Sequence, residues 1–239
     1  KYEQLSSPIY KSRAEIISGE CKAESCAEGI PGFWIQVMKQ NGNIRENITE
    51  RDEILLKFLT DVSSTTLAED EGIGFRLDFY FKPNDFFTDA KLTKTYYMED
   101  SDYHDIVRAE GTPINWKEGR NLTVRTIKKR QRKKNSHETR IVVKTEPCES
   151  FFNFFSPPVI PQAGEGAPVD PDELDQREDE LEADLDLGLS FHEDLVPNAI
   201  KWFTGEEGDS SDGEESEDGD ESGDGEGNDD DDDDDEKDA

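Results

Sequence analysis

The residue types that perform most enzyme chemistry are scarce in this chain of 239 residues, which holds three cysteines and three histidines. Cys21 and Cys26 are separated by four residues and have no second ligand pair, and Cys148 lies far along the chain. Neither a zinc site nor a disulfide framework is therefore expected. The histidines belong to no H-E-x-x-H pattern, and Gly72-Ile73-Gly74 is too short for a phosphate-binding loop. We expect a protein that is not an enzyme and has no cofactor and no metal site.

Long apolar runs are also missing from the sequence. No run approaches the roughly 18 apolar residues that a membrane-spanning helix needs, and no signal peptide is visible. We therefore expect no membrane partner. Because the chain starts with Lys1 rather than with Met, we expect further residues upstream.

Negative charge dominates the sequence, and it is unevenly distributed. The formal net charge is −32, and residues 205–239 hold 21 Asp and Glu but a single Lys. Residues 170–204 hold 12 acidic and two basic residues, whereas residues 1–169 hold 26 acidic and 24 basic residues. The chain is thus a nearly neutral body with a polyanion at one end.

The acidic tail (residues 205–239) includes seven consecutive Asp between Asn228 and Glu236. Such a segment cannot bury apolar surface, and its charges repel one another, so the sequence predicts that the tail is disordered and extended. Its field attracts cations and repels nucleic-acid phosphates, which favours a basic protein as the partner. The alternative is a tail that keeps the protein in solution and has no specific partner.

Three helical stretches are predicted before residue 63. Residues 1–20 carry apolar side chains that share one helix face, although Pro8 would kink it: Tyr2, Leu5, Ile9 and Ile16. A polar connector follows at 21–28. Helical spacing returns at 33–38. Thr49, with Asp52 three residues later, then predicts a helix start. An apolar stripe continues that helix to Val62, through Ile54, Leu55, Phe58 and Leu59.

The pattern then changes to the alternation that is typical of β-strands. Apolar and polar residues alternate over 75–82, and the Thr- and Tyr-rich stretch 92–98 and the short stretch 111–116 follow. Residues 122–127 and 140–145 are interpreted as a long hairpin whose tip carries the basic run 128–134. The predicted fold class is α+β, with helices before an antiparallel sheet.

Aromatic and acidic segments follow the hairpin. Residues 150–155, SFFNFF, are interpreted as a core plug, and the alternative is an exposed aromatic patch. Residues 171–187 predict a thin amphipathic helix, on which Leu174, Leu181 and Leu185 share a face and carboxylates cover the rest. Apolar residues between 189 and 203 predict a last docked element before the tail.

The sharpest cationic feature is a run of six basic residues in seven positions: Lys128, Lys129, Arg130, Arg132, Lys133 and Lys134. We interpret it as a nuclear import signal displayed on the hairpin. Two alternatives stay open, a contact with nucleic-acid phosphates and a solvated hairpin end whose charges discourage edge-to-edge aggregation. The acidic tail argues against tight DNA binding, because it would compete for the same basic run.

Five ordered stretches of the sequence resemble the nucleosome assembly protein family: GIPGFWIQVMKQN, ITERDEILLKFLTDV, FRLDFYFKPNDFFTDAKLTKTYYM, INWKEGRNLTVRTIKKRQRKK and KTEPCESFFNFFSPPVIP. The resemblance covers 29–161 and continues more loosely through WFTGE at 202–206 to the tail. The SFFNFFSPP block and the long hairpin favour the nucleosome-assembly branch of the family over its SET-like branch.

The resemblance implies a headphone-shaped homodimer in which an α+β earmuff domain, here 29–204, hangs below a long dimerisation helix. Residues 1–20 would be the end of that helix, with the stripe from Tyr2 to Ile16 in the dimer interface, and most of the helix is expected upstream. The family hairpin carries an import signal, which maps onto Lys128 to Lys134. This implies an import receptor as a partner and shuttling between nucleus and cytoplasm.

The resemblance also implies a histone chaperone. Such a protein binds core histones, with linker histone as a further candidate, prevents non-specific histone–DNA contacts, and promotes nucleosome assembly and exchange. The alternative is an acidic SET-like regulator of transcription or phosphatase activity that binds basic proteins generally.

The family binds histones on an acidic underside. We assign this role to one face of the predicted helix 171–187 and to the tail: Asp175, Glu178, Asp179, Glu182, Asp186, Glu206, Glu207, Asp229, Asp230 and Asp231. The alternative for the helix is a solvated acidic face without a partner. Ser211 precedes Asp212 and Glu214, a pattern typical of acidic-kinase sites, and a phosphate there would add negative charge.

Overall fold

A computed structural model describes residues 2–20, 28–68, 70–99, 105–132, 139–160 and 170–206. The first described helices are α1 (Tyr2–Ser18), α2 (Phe33–Gln40), α3 (Gly42–Glu46) and α4 (Glu50–Leu56). The strands are β1 (Leu59–Thr66), β2 (Gly74–Phe81), β3 (Lys91–Met98), β4 (Ile106–Gly111), β5 (Val124–Arg132) and β6 (Thr139–Pro147). After β6 come a 3-10 helix (Phe151–Phe155), α5 (Pro171–Leu189), a π-helical turn (Ser190–Leu195) and α6 (Val196–Thr204). None of the helices in them is long and apolar enough to cross a membrane.

Four strands form an antiparallel sheet in the order β1-β2-β3-β4, which confirms the predicted α+β class. Side chains alternate between the two faces of a strand. In β2, Phe75, Leu77 and Phe79 are fully buried, whereas Tyr80 on the other face is exposed. The ring centroids of Phe79 and Phe191 are 5.2 Å apart, so the buried face of the sheet packs on the C-terminal helices.

The prediction of one helix from Thr49 to Val62 is wrong in its second half. The capping box is present, since Asp52 N donates to Thr49 Oγ1 and Thr49 N donates to Asp52 Oδ2, but α4 ends at Leu56. β1 begins at Leu59 and places Val62 opposite Phe79, where Val62 is fully buried. The hydroxyl-bearing and β-branched residues after Val62 disfavour a helix, and pairing with an apolar strand outweighs the helical period.

The strand predicted at 111–116 is also displaced. β4 lies upstream, at Ile106–Gly111, and pairs with β3 so that Ala109 is opposite Tyr96. Beyond it, Trp116 forms an isolated bridge with Phe87. Pro113 has no N–H to donate, which explains why the ladder does not continue through 111–116.

The predicted hairpin is present, and its strands are longer than predicted. β5 pairs with β6 along its whole length, as far as Arg132 opposite Thr139. The basic run is therefore not confined to the tip, because four of its members belong to β5: Lys128, Lys129, Arg130 and Arg132. Lys133 and Lys134 lie outside the described residues.

The SFFNFF block is a core plug, as predicted. Its four Phe side chains are at most 5% exposed. Ser150 caps the 3-10 helix by accepting a hydrogen bond from Phe152 N. Ser150 Oγ and Phe151 N both donate to the buried carboxylate of Asp52, at 2.6 and 2.9 Å. Asp52 thus caps α4 and holds the aromatic block inside the body.

The helix predicted for residues 1–20 is present as α1, and Gly19, at φ 80°, follows its last residue. Arg13 fastens α1 to the body, since its guanidinium donates to Val196 O at 2.6 Å and lies 5.0 Å from the Trp34 ring centroid. Ile9 and Ile16 are 65% and 44% exposed. These two members of the predicted apolar stripe therefore do not pack on the body of the same chain.

Candidate functional site

The acidic helix α5 begins as its sequence predicts. Asp170 is the N-cap and accepts a hydrogen bond from Asp172 N at 3.2 Å. Pro171 occupies the first turn, where its missing N–H costs no helical hydrogen bond. Asp172 and Glu173 follow, close to the positive end of the helix dipole. The predicted helix 171–187 is therefore present, and it continues to Leu189.

α5 packs on the buried face of the sheet. Leu181 and Leu185 are at most 4% exposed, as their shared helix face predicts. Gly188 lies so close to the Tyr96 ring that an added Cβ would overlap with it. Tyr96 OH donates to Asp184 O at 2.7 Å. Gly188 must pack against the Tyr96 ring while Asp184 O accepts the hydrogen bond from Tyr96 OH. These two contacts together fix the position of α5 on the sheet.

A buried ion pair fixes the middle of α5. Lys94 of β3 is fully buried, and its Nζ lies 2.7 Å from Asp184 Oδ1 and 2.6 Å from Phe154 O. Burial lowers the pKa of Lys94 to about 8, although the Asp184 carboxylate opposes this shift. Burial also raises the pKa of Asp184, with Lys94 opposing. Sequence reasoning missed this pair, although Lys94 falls between Leu92 and Tyr96 in the alternation of β3, at a position that the strand buries.

Five carboxylates cover the opposite face of α5. They recur at steps of three and four residues, which places them on one side of a helix. This acidic face consists of Asp175, Glu178, Asp179, Glu182 and Asp186, all exposed. None of the five forms a salt bridge with another described residue. Arg177, the only basic residue of α5, pairs instead with Glu173 at 2.7 Å.

A pocket beside the acidic face adds carboxylates that sequence reasoning missed. It has a volume of about 250 Å³ and lies between α5 and the turn that joins β3 to β4. Glu99 and Asp105 line it together with Glu178 and Glu182 of α5. Two segments that are far apart in sequence therefore extend the negative surface towards the sheet.

A larger groove of about 570 Å³ borders the other flank of α5. Glu46 of α3, Glu149 before the aromatic block, and Glu180 of α5 contribute carboxylates to its lining. No local pattern in the sequence indicates these residues, because each comes from a different segment and only the folded chain brings them together. The acidic surface is thus wider than the helix face that the sequence predicted.

Comparison with known proteins identifies the fold. The family profile described as "Nucleosome assembly protein (NAP)" matches residues 1–206. The chain belongs to the nucleosome assembly protein family. It is 41% identical over 222 residues to Nucleosome assembly protein 1;1 of Oryza sativa subsp. japonica, which covers 86% of this chain and 57% of that protein. It is also 41% identical over 227 residues to Nucleosome assembly protein 1;2 of Arabidopsis thaliana, covering 89% and 59%.

Solved structures of the nucleosome assembly protein family show the same fold. Nucleosome Assembly Protein 1 from Plasmodium knowlesi matches with a TM-score of 0.63 and 29% sequence identity, over 85% of this chain and 81% of that chain. A malaria parasite Nucleosome Assembly Protein matches with a TM-score of 0.58 and 27% identity, over 85% and 80%. This chain spans less than two thirds of the length of the rice and Arabidopsis proteins named above.

The other described site residues of this nucleosome assembly protein fold do not belong to α5. Glu206 is exposed and follows Gly205, whose φ of 86° ends α6. Tyr2, Leu5, Ile9 and Ile16 all belong to α1, and four cations of the basic run belong to β5. Five predicted site residues of the tail lie outside the described residues: Glu207, Ser211, Asp229, Asp230 and Asp231.

Proposed function

We propose that this chain acts as a histone chaperone and that the acidic face of α5 holds core histones. The observation that carries the proposal is a row of five exposed carboxylates, without ion-pair partners among the described residues, on a helix held in place through Lys94 and Gly188. Such a row offers basic side chains a surface of fixed geometry. Membership of a family named for nucleosome assembly supports this proposal.

Competition with DNA explains how such a surface would work. Histones bind DNA through many Lys and Arg contacts with phosphates. One exposed ion pair contributes only about 0–1 kcal/mol, so several must act together. The acidic face and its two flanking pockets place carboxylates side by side, so that histone side chains can exchange phosphates for carboxylates one at a time. The chaperone would thereby prevent non-specific histone–DNA contacts and promote nucleosome assembly and exchange.

The acidic tail would increase the rate at which histones are captured. Its charge attracts cationic proteins from a distance and raises the association rate more than the final affinity. Glu206, Glu207 and Asp229 to Asp231 would contribute through charge alone. A phosphate on Ser211 would add to this charge. Linker histone, which is also strongly basic, would be a further partner.

The exposed stripe of α1 supports a homodimer. Ile9 and Ile16 are two helical turns apart and 65% and 44% exposed, while Arg13 and Ile17 hold the same helix on the body. Removal of exposed apolar surface from water drives association. We therefore propose that α1 pairs with α1 of a second copy and that Tyr2 and Leu5 extend the interface.

The basic run on β5 would serve as an import signal. Lys128 is exposed on a hairpin that pairs with no other described strand, so an import receptor could approach either edge. Lys129, Arg130, Arg132, Lys133 and Lys134 would complete the signal. Shuttling between nucleus and cytoplasm is the localisation that follows from this role.

Neutralising the acidic face tests the proposed function. In the test variant the three Asp become Asn and the two Glu become Gln. A control variant neutralises five exposed carboxylates elsewhere: Glu15, Glu20, Glu28, Glu50 and Asp70. We expect the test variant to bind core histones about tenfold more weakly at physiological salt and to lose activity in a supercoiling assay for nucleosome deposition, because several ion pairs are lost together.

The control variant has the same net charge as the test variant, and we expect its histone affinity to change by less than about threefold because its substitutions lie outside the acidic face. Equal weakening of both variants would mean that overall charge, not the acidic face, binds histones. Equal affinity for an unrelated basic protein of the same charge would favour a general acidic regulator of the SET-like kind.

A further inference from the structure

Basic residues gather at one end of the four-stranded sheet. Lys57 precedes β1 and Lys82 follows β2. Lys82 N donates to Phe58 O at 2.9 Å, which brings the two lysines to the same end of the sheet. Lys117 Nζ donates to Asn84 O at 2.6 Å, and the guanidinium of Arg120 lies 6.0 Å from the Phe86 ring centroid. We call these four exposed cations the basic end. The exposed carboxylates in the same turns are Asp85 and Glu118.

The hairpin continues the basic end. Residues 117–134 hold nine Lys and Arg and one acidic residue, Glu118. The side chains of Arg125 on β5 and Lys144 on β6 are 63% and 62% exposed, although both lie near Glu146. At the opposite end of the sheet, the turn after β3 carries Glu99 and Asp105. Basic and acidic side chains therefore gather at opposite ends of the sheet.

The end of α6, after which the acidic tail begins, is linked through α2 to the start of β1. Phe203 of α6 stacks on Phe33 of α2, with 4.7 Å between ring centroids. The next residue of α2, Trp34, donates its Nε1–H to Thr60 O at 3.1 Å, and Thr60 is three residues beyond Lys57. Phe33 and Trp34 thus link the end of α6 to the start of β1, which Lys57 precedes at the basic end.

Residues 207–239 have both the length and the charge to bind there. They comprise 33 residues with 20 Asp and Glu and a single Lys. The disorder that the sequence predicts for a segment of this length corresponds to a root-mean-square span of about 30 Å, and charge repulsion lengthens it. Tethering gives the tail an effective concentration on the order of millimolar at a nearby site, which favours it over free polyanions.

We propose that residues 207–239 bind the basic end of their own chain. The tail would occupy the cations that could otherwise contact DNA phosphates, and it would cover the basic run on β5. A basic protein that binds the tail would expose both the cations of the basic end and the basic run on β5. Release of the tail by a basic protein rests on the proposed function, because core histones are the proposed ligands of the tail. The contact within the chain does not rest on it.

Cross-linking of the full chain tests the contact. A zero-length carbodiimide reagent, followed by mass spectrometry, should join Lys57, Lys82 and Lys117 to tail carboxylates. These links should disappear at high salt, where the Debye length falls to about 3 Å at 1 M. Lys11, an exposed lysine of α1 that a tail of this length would also reach, is the control and should be joined to the tail much less often than these three lysines.

The same experiment on a mixture of heavy-isotope and normal chains distinguishes contacts within one chain from contacts between chains. Links confined to chains of one label support the proposal. Links between differently labelled chains, or the absence of links at the three lysines, would overturn it. Histones take no part in this readout, so its failure is distinct from failure of the proposed function.

DNA affinity gives a second test in the full chain. Replacing the seven consecutive Asp with Asn should increase affinity for a short DNA duplex at least about tenfold at 0.1 M salt, because fewer carboxylates compete for the cations. Adding Lys57→Glu and Lys82→Glu should remove most of this gain, whereas the control pair Lys11→Glu and Arg45→Glu should retain it. If the gain in DNA affinity persists after the charges of Lys57 and Lys82 are reversed, the tail acts by general repulsion and the proposal is overturned. The absence of any gain in DNA affinity would also overturn it.

Discussion

Two carboxylates, the fully buried Asp52 and the half-buried Asp184, hold together the elements that present the acidic surface. Asp52 caps α4 and accepts hydrogen bonds from Ser150 and Phe151, which fixes the aromatic block. Asp184 pairs with Lys94 and joins α5 to β3. A buried charge is costly unless it is paired and hydrogen-bonded. Because the partners of each carboxylate lie in distant segments, alternative packings would leave a buried charge without its partner.

The burial of Lys94 predicts how stability depends on pH. Its pKa is lowered from 10.5 to about 8 in the folded chain. Between these two values the unfolded chain keeps a proton that the folded chain has lost, so unfolding takes up a proton. The free energy of unfolding should therefore rise with pH in this window, by at most about 1.4 kcal/mol per pH unit from this residue.

Urea unfolding at several pH values between 8 and 10 measures this slope. The variant Lys94→Met should show a flatter slope, and it should also be less stable by about 3–5 kcal/mol near neutral pH because Asp184 loses its partner. Lys91→Met, on an exposed lysine of the same strand, should leave the slope unchanged. Identical slopes for the wild type and Lys94→Met would show that Lys94 does not titrate in this range.

The sequence predicted helices and strands correctly where the spacing of apolar residues fitted only one kind of element. The alternation in β2, the hairpin and the leucines of α5 each allow a single reading, and the structure confirms all three. Val62 was assigned wrongly because its apolar neighbours fit a helical period equally well, and only pairing with Phe79 decides for a strand.

The candidate site was predictable only in its local part. The acidic face repeats within one helix, so the sequence reveals it. The carboxylates of the flanking pockets come from separate segments, and their proximity depends on how α5 packs against the sheet and the aromatic block. Lys94 was missed for a related reason: its burial requires Asp184, which lies 90 residues further along the chain.

The exposed stripe of α1 yields a prediction for assembly. Replacing Ile9 and Ile16 with Asp should weaken self-association at least about tenfold, because burying a charge in an apolar interface is unfavourable. Sedimentation equilibrium measures the effect. The folded body should be retained, since neither side chain packs on it.

Ile200→Asp is the matched control, because Ile200 is also an exposed isoleucine on a helix, 59% exposed on α6. Its self-association should remain that of the wild type. Equal weakening by this substitution, or no weakening by the α1 pair, would place the dimer interface elsewhere.

Charge is segregated in this protein both within the body and between the body and the tail. The body carries an acidic face on α5 and a basic end on the sheet, and the sequence adds a long polyanion after α6. Positive charge on a histone can therefore be met by fixed carboxylates on the body and by carboxylates of the tail. The two sets differ in their dependence on salt, because exposed charges more than a Debye length apart are largely screened.

This difference predicts how a chain that ends at Glu206 should behave. At low salt it should associate with core histones about tenfold more slowly than the full chain, because long-range attraction by the tail is lost. Its dissociation rate should change little, because the acidic face of α5 remains. As salt increases and the Debye length shortens from about 10 Å at 0.1 M to about 3 Å at 1 M, the association rates of the two chains should converge. Stopped-flow measurements over this range check the prediction, and a parallel salt dependence of the two rates would mean that the tail does not steer histones towards the folded site.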